Sequence, residues 1–148
     1  EVTSLDMVYQ SNNLFYHRDT DKLFTGVIGD FFENGELQLR VNFKNGKQDG
    51  LEEKYFENGQ LTRRFNAKDG EAVGLWESFF ENGKIREIRN YKEGEVVKTV
   101  YNYYDNGQMQ GMLNFKNGKD HGLQEVFYEN GQLKIRKNYK KGKQHDDY

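Results

Sequence analysis

The chain has 148 residues, a net charge of −2 from 22 basic and 24 acidic residues, and no cysteine. This length suits one domain or one short repeat array, the charge balance offers no basic footprint for nucleic acid, and the missing cysteine excludes disulfides, cysteine-rich zinc sites and thiol nucleophiles. Aromatic residues at 15 % are too many for disorder, a mean hydropathy of −1.05 leaves little aliphatic core, and no apolar run nears the roughly 18 residues of a membrane helix, so a thin, much-exposed structure is expected.

Residues 1–22 form an N-terminal capping segment in this reading. Leu14, Phe15, Tyr16, Leu23 and Phe24 supply a strand to cover the first sheet edge, because exposed edges invite aggregation. The chain starts at Glu1 rather than Met. That fits export after signal removal, or a segment lying upstream, and the compartment stays open.

From residue 23 a fixed period of 24 residues takes over. Asn-Gly pairs stand at Asn34-Gly35, Asn58-Gly59, Asn82-Gly83, Asn106-Gly107 and Asn130-Gly131. A second turn series follows at Asn45-Gly46, Asp69-Gly70, Glu93-Gly94, Asn117-Gly118 and Lys141-Gly142. A third glycine column holds Gly26, Gly50, Gly74 and Gly122, and only Gly29 and Gly111 of the 16 glycines lie outside the three columns. Glycine so placed marks turns and bulges at positive φ. The absence of proline suits backbone N–H groups committed to ladders.

Between the turns lie two strand-like segments per unit. One ends in an aromatic doublet: Phe31-Phe32, Tyr55-Phe56, Phe79-Phe80, Tyr103-Tyr104 and Phe127-Tyr128. The other starts at Leu37, Leu61, Ile85, Met109 or Leu133 and carries an asparagine column, Asn42, Asn66, Asn90, Asn114 and Asn138. Aromatic content, short length and Asn-Gly punctuation call for β-hairpins, with Asn-Gly as a two-residue type I′ loop. That loop sets Phe32 opposite Leu37, Phe56 opposite Leu61, and so on through the array. Adjacent strand residues point to opposite faces, so each face carries an aromatic row. Leu51, Leu75 and Leu123 join the row of Phe31, Tyr55, Phe79, Tyr103 and Phe127, unless a bulge at the third glycine column moves them.

The fold class is therefore all-β: an elongated, twisted single-layer antiparallel meander of stacked β-hairpin repeats. Residues 23–148 make five 24-residue repeats plus the start of a sixth, in about ten or eleven strands with almost no helix. The alternative is a sheet that curls until one aromatic row becomes an interior. The fourth unit departs from the pattern, with Lys98 in place of glycine and Thr99 in place of leucine. A local weak point or bend is expected there.

The stretches YFENGQLTRRFNAKDG, FFENGKIREIRNYKEG and FYENGQLKIRKNYKKGK, with the junctions NGKQDGL and NGKDHGL, resemble the MORN repeat, and more closely its bacterial variant. The resemblance covers about residues 23–148. It implies stacked hairpins, no enzyme activity of its own, and protein contacts or membrane-proximal scaffolding. Bacterial variant proteins are often labelled antitoxin-like.

Residue chemistry points the same way. His17, His121 and His145 are the only histidines, and His121 and His145 occupy one turn-flanking column. A metal needs several converging ligands, so no metal or cofactor is expected. The column Glu33, Glu57, Glu81, Asp105 and Glu129 reads as a solvated edge rather than a catalytic pair. Lys134, Arg136, Lys137, Lys140, Lys141 and Lys143 interleave with Tyr139, a pattern that also fits an anionic membrane surface. The chain reads as a non-enzymatic module that binds an unidentified protein partner through a sheet face or edge. A peripheral membrane-associated scaffold, or an antitoxin-like partner-binding protein, is the alternative. Tyr55, Trp76, Phe79, Tyr103, Tyr104 and Tyr128 are the expected anchors, because aromatic residues dominate binding hot spots.

Overall fold

The computed structural model describes residues 1–140 and 143–145. The turn Lys141-Gly142 and residues 146–148, read above as part of a sixth unit, lie outside the described residues.

The strands are β1 (Val2–Ser4), β2 (Val8–Ser11), β3 (Leu14–His17), β4 (Gly26–Phe31), β5 (Leu37–Lys44), β6 (Lys47–Tyr55), β7 (Leu61–Lys68) and β8 (Glu71–Phe79). They continue as β9 (Ile85–Lys92), β10 (Glu95–Tyr103), β11 (Met109–Lys116), β12 (Lys119–Asp120), β13 (Gly122–Phe127), β14 (Leu133–Lys140) and β15 (Lys143–His145). A single 3₁₀ turn, Leu5–Met7, is the only helical element among the described residues. One 13-stranded sheet runs from β1 through β4 in sequence order to β15, and β2–β3 form a second, two-stranded sheet. All pairings are antiparallel except β1 with β4. The fold is an all-β, open, single-layer meander with more strands than the ten or eleven expected, because β1, β12 and β15 also pair.

The first turn series differs from the two-residue loop expected of it. In each unit the residue before the acidic position closes a three-residue loop: Phe56 N–H donates to the Gln60 carbonyl at 2.8 Å, and Gly59 N–H donates to the Phe56 carbonyl at 2.9 Å. Gly59 has φ +81°, while Asn58 keeps a negative φ. This is a type I turn followed by a left-handed glycine. The asparagine is used for its side chain: Oδ1 of Asn58 accepts the Gln60 N–H at 2.9 Å, and the same bond recurs at Asn34, Asn82, Asn106 and Asn130. The type I′ loops are in the second series, where Asn45, Asp69, Glu93 and Asn117 and their glycines all have positive φ.

The longer loop shifts the pairing. Tyr55, not Phe56, stands opposite Leu61, and likewise Phe31 opposite Leu37, Phe79 opposite Ile85, Tyr103 opposite Met109 and Phe127 opposite Leu133. One extra residue, Thr62 in this unit, bulges from the second strand. The cross-strand aromatic–aliphatic contacts therefore belong to the first member of each doublet.

At the third glycine column the upper strand carries two extra residues. Between Val41 and Phe43 the chain advances two positions, while from Glu52 to Gln48 it spans four. Because the insertion is even, alternation is restored beyond it. Leu51 and Leu75 keep the face of Tyr55 and Phe79, and oppose Asn66 and Asn90. The insertion leaves backbone carbonyls to satisfy, which accounts for part of the asparagine column. Asn42 Nδ2 donates to the Leu51 carbonyl at 2.6 Å, and Asn114 donates to that of Leu123.

The N-terminal segment works in two parts. The first sheet edge is covered by Val2–Ser4, not by the aromatic run. An edge needs any extended backbone, whereas Phe15 and Phe24 need an apolar surface, and they find Phe43, with ring centroids 4.7 and 6.0 Å away. Val8, Phe24 and Ile28 are the core of this cluster. The first type I′ loop is gripped: Phe15 N–H donates to the Gly46 carbonyl at 2.8 Å, and Gly46 N–H to that of Phe24 at 2.7 Å.

Candidate functional site

The register defines two faces. Phe65, Trp76 and Arg89 stand in one cross-strand row, and Ile28, Val41 and Glu52 continue it toward the N-terminus. This Trp76 face holds the buried side chains of the repeat sheet, including Glu52 at 7 % exposure. Glu52 is paired: Arg63 reaches its Oε1 at 2.7 Å, and Gln48 Nε2 donates to Oε2 at 2.8 Å. Arg89 lies over the Trp76 ring, 5.0 Å from its centroid, and bonds Glu87 and Tyr91. Burial pulls the Arg89 pKa down, but the Glu87 and Tyr91 bonds outweigh it and leave the pKa above the usual arginine value.

The opposite, Tyr55 face is crossed by a row in which charges alternate. Arg40, Glu53, Arg64 and Glu77 stand in register, followed by Ile88, Tyr101 and Met112, then Glu125 and Arg136. Arg64 meets Glu77 and Arg136 meets Glu125, each at 2.6 Å. The hydrogen bond to Glu77 raises the Arg64 pKa further. Arg64 also covers the Phe79 ring at 5.9 Å. Burial, with the Glu53 charge, pushes the Tyr55 phenol above its ordinary value.

The six expected anchors do not converge on one surface. Tyr55, Phe79 and Tyr103 share the Tyr55 face by strand alternation. Trp76 lies on the other face, under Arg89. Tyr104 and Tyr128 open the hairpin loops and border a common groove of about 610 Å³ with Glu129.

That groove belongs to a series along the hairpin tips. Phe32 and Phe56 border one of about 370 Å³, with Lys54, Tyr55, Glu57, Glu81 and the bulged Thr62. Phe80 and Tyr104 border another of about 390 Å³, with Tyr103, Asp105, Glu129 and the bulged Arg86. The row is thus Phe32, Phe56, Phe80, Tyr104 and Tyr128, the second member of each doublet. Arg86 lies over Phe80 at 5.9 Å and Lys134 over Tyr128 at 5.3 Å. Neighbouring tips are tied together: Asn58 Nδ2 donates to the Glu81 carbonyl at 3.2 Å, and Asn82 Nδ2 to that of Asp105 at 3.0 Å. Preference for Tyr and Trp as anchors passed over Phe32, Phe56 and Phe80. Their signal was the column itself, repeating beside the acidic column.

The model of the MORN repeat variant matches residues 30–45, 48–69, 72–93, 97–117 and 120–141. The chain belongs to the MORN repeat variant family. No curated protein matches its sequence. MORN repeats are in general non-catalytic modules associated with protein or membrane binding. In this MORN array, no group of three or more His, Asp or Glu side chains is placed to hold a metal among the described residues. His121 instead lines a hollow of about 590 Å³ with Lys116, Lys119 and Lys140, at the opposite rim from the aromatic tips.

Proposed function

We propose that this MORN array is a non-enzymatic interaction module that binds a partner protein along the tip row Phe32, Phe56, Phe80, Tyr104 and Tyr128. The observation that carries the reading is the set of three grooves bordering this row, each between aromatics one repeat apart. Concave surface lined by aromatic side chains with a few polar groups is what binding sites are made of. The rigid strand pairs below hold the rings in fixed register, so little ordering is needed when a partner docks.

Affinity capture from native lysate, read by mass spectrometry, tests this. Alanine at Phe56, Phe80 and Tyr104 together removes the partner, whereas alanine at Phe31, Phe79 and Phe127, which line none of the three grooves, leaves it. The reverse pattern moves the site to the Tyr55 face, and capture unaffected by either set ends the reading.

The lysine-lined hollow at Lys116, Lys119, His121 and Lys140 supports a second reading, a peripheral scaffold on an anionic membrane. It requires sedimentation with phosphatidylserine vesicles that weakens as salt rises. No sedimentation at low salt removes it.

A further inference from the structure

We propose that the tip row is a track for a basic segment in the polyproline II conformation, with one anchor side chain every third residue. The inference rests on the reading of this row as a protein-binding surface, and it names the partner's chemistry.

Spacing selects the conformation. Successive aromatics of the row are one hairpin apart, two strand spacings, or about 9.6 Å at 4.8 Å per strand. A polyproline II helix rises about 3.1 Å per residue and returns to the same side every three residues, or about 9.3 Å. An extended strand also covers the distance in about three residues, but its third side chain faces away. An α-helix needs about 6.4 residues at 1.5 Å each; its nearest same-face step, seven residues, rises about 10.5 Å and overshoots by about 0.9 Å at every repeat, so its anchors drift off the row. Only the polyproline II segment keeps in step with the array. Flat aromatic grooves are also what such segments dock into, at little conformational cost.

Charge selects the sequence. Glu33, Glu57, Glu81, Asp105 and Glu129 stand next to the row, all exposed, and none makes an ion pair among the described residues. Glu57 and Glu81 line the first groove, and Asp105 and Glu129 the second. Of the nearby cations, Arg86 and Lys134 lie over rings and Lys84 Nζ donates to the Asn106 carbonyl, while Lys54 shares the first groove with Glu57 and Glu81, one cation against two carboxylates. A partner carrying Lys or Arg between its prolines meets this acidic rail at each repeat.

The test uses the whole chain and a fluorescent peptide of Pro-Pro-Lys triplets, one triplet per aromatic of the row. Anisotropy is expected to report binding that weakens with salt. It should fall roughly tenfold or more in Phe80→Leu plus Tyr104→Leu, which keeps apolar bulk but removes the flat platforms. Glu57→Lys with Glu81→Lys should weaken it further, with circular dichroism unchanged. A peptide with a glycine added to every triplet, which breaks the three-residue step, should bind much more weakly. Equal binding of the stepped and broken peptides overturns the inference, as does binding of a basic α-helical peptide in preference to the triplet one. If the triplet peptide fails while capture from lysate still depends on Phe56, Phe80 and Tyr104, the track is wrong and the binding surface stands. If neither depends on them, both fall.

Discussion

Lys98→Gly is expected to stabilise the fourth repeat. Lys98 sits at φ +64°, in the column where Gly50, Gly74 and Gly122 adopt +105°, +71° and +72°. An L-residue in the left-handed region costs about 1–2 kcal/mol, and glycine costs about 0.5–1 kcal/mol in chain entropy. The net gain is about 0.5–1 kcal/mol, or an upward shift of roughly 1–4 °C in Tm for a chain of this size. Lys98 is exposed, so little packing is lost with it. Gly74→Ala is the reciprocal experiment. Nothing lies within 4 Å of a Cβ built at Gly74, so strain alone is measured, and a loss of about the same size is expected. Urea unfolding at constant m reads both changes. Hydrogen exchange across β9–β11 localises them, because repeat arrays open in parts. A destabilised Lys98→Gly, together with a neutral Gly74→Ala, would refute the account of the two-residue insertion.

Arg63→Ala leaves Glu52 nearly buried with only Gln48 as partner, and should cost about 1–3 kcal/mol. A loss in urea no greater than that of Arg64→Ala would remove the pair from the fold's account. Gly46→Ala forces a Cβ to within 2.8 Å of Leu23 and 2.9 Å of the Phe15 carbonyl at φ +77°. About 2–4 kcal/mol is expected, against about 0.5–1 for Gly70→Ala, where the space is open; equal losses would mean that the N-terminal hairpin does not grip this turn. The raised Tyr55 phenol favours its neutral form in the fold. Its contribution is therefore complete below the unfolded pKa of about 10 and is lost as pH rises through the higher folded value. An ultraviolet titration should lose one late tyrosine step in Tyr55→Phe, and an unchanged titration would contradict the raised phenol.

The period, the strands and the two aromatic rows were legible in the sequence because all three follow from residue spacing. The loop chemistry was not, because Asn-Gly serves two conformations. Yet the columns held the distinction. In the first turn series the asparagine never varies, as a side-chain acceptor requires. In the second, the equivalent position holds Asn45, Asp69, Glu93 and Asn117, all near φ +50°, which shows that only backbone geometry is being asked for. Misreading that difference slipped the pairing by one residue and gave the cross-strand contacts to Phe56 instead of Tyr55. The asparagine column before the second turns was visible, but its partner was not. The carbonyls of Leu51 and Leu123 need a donor only because two extra residues open the ladder there. The charge row on the Tyr55 face also escaped notice, since Arg40, Glu53, Arg64 and Glu77 come together only when the register is known.

That charge row bears on which aromatic row is free to bind. On the Tyr55 face, each carboxylate from Glu53 to Glu77 stands beside an arginine, and Arg64 meets Glu77 at 2.6 Å. Exposed pairs of this kind add only about 0.2–1 kcal/mol each to the fold, but they satisfy one another's charge. A partner docking there would have to desolvate groups that already have counter-ions. At the hairpin tips the acidic column makes no ion pair among the described residues, and its carboxylates outnumber the cations, Lys54 and Arg86, that share their grooves. A complementary partner therefore gains most at the tips, where its cations replace water rather than arginine. The two aromatic rows look alike in the sequence, and the register of the central charges sets them apart. Beside one, the central carboxylates are met by the protein's own arginines; beside the other, the acidic column makes no ion pair among the described residues.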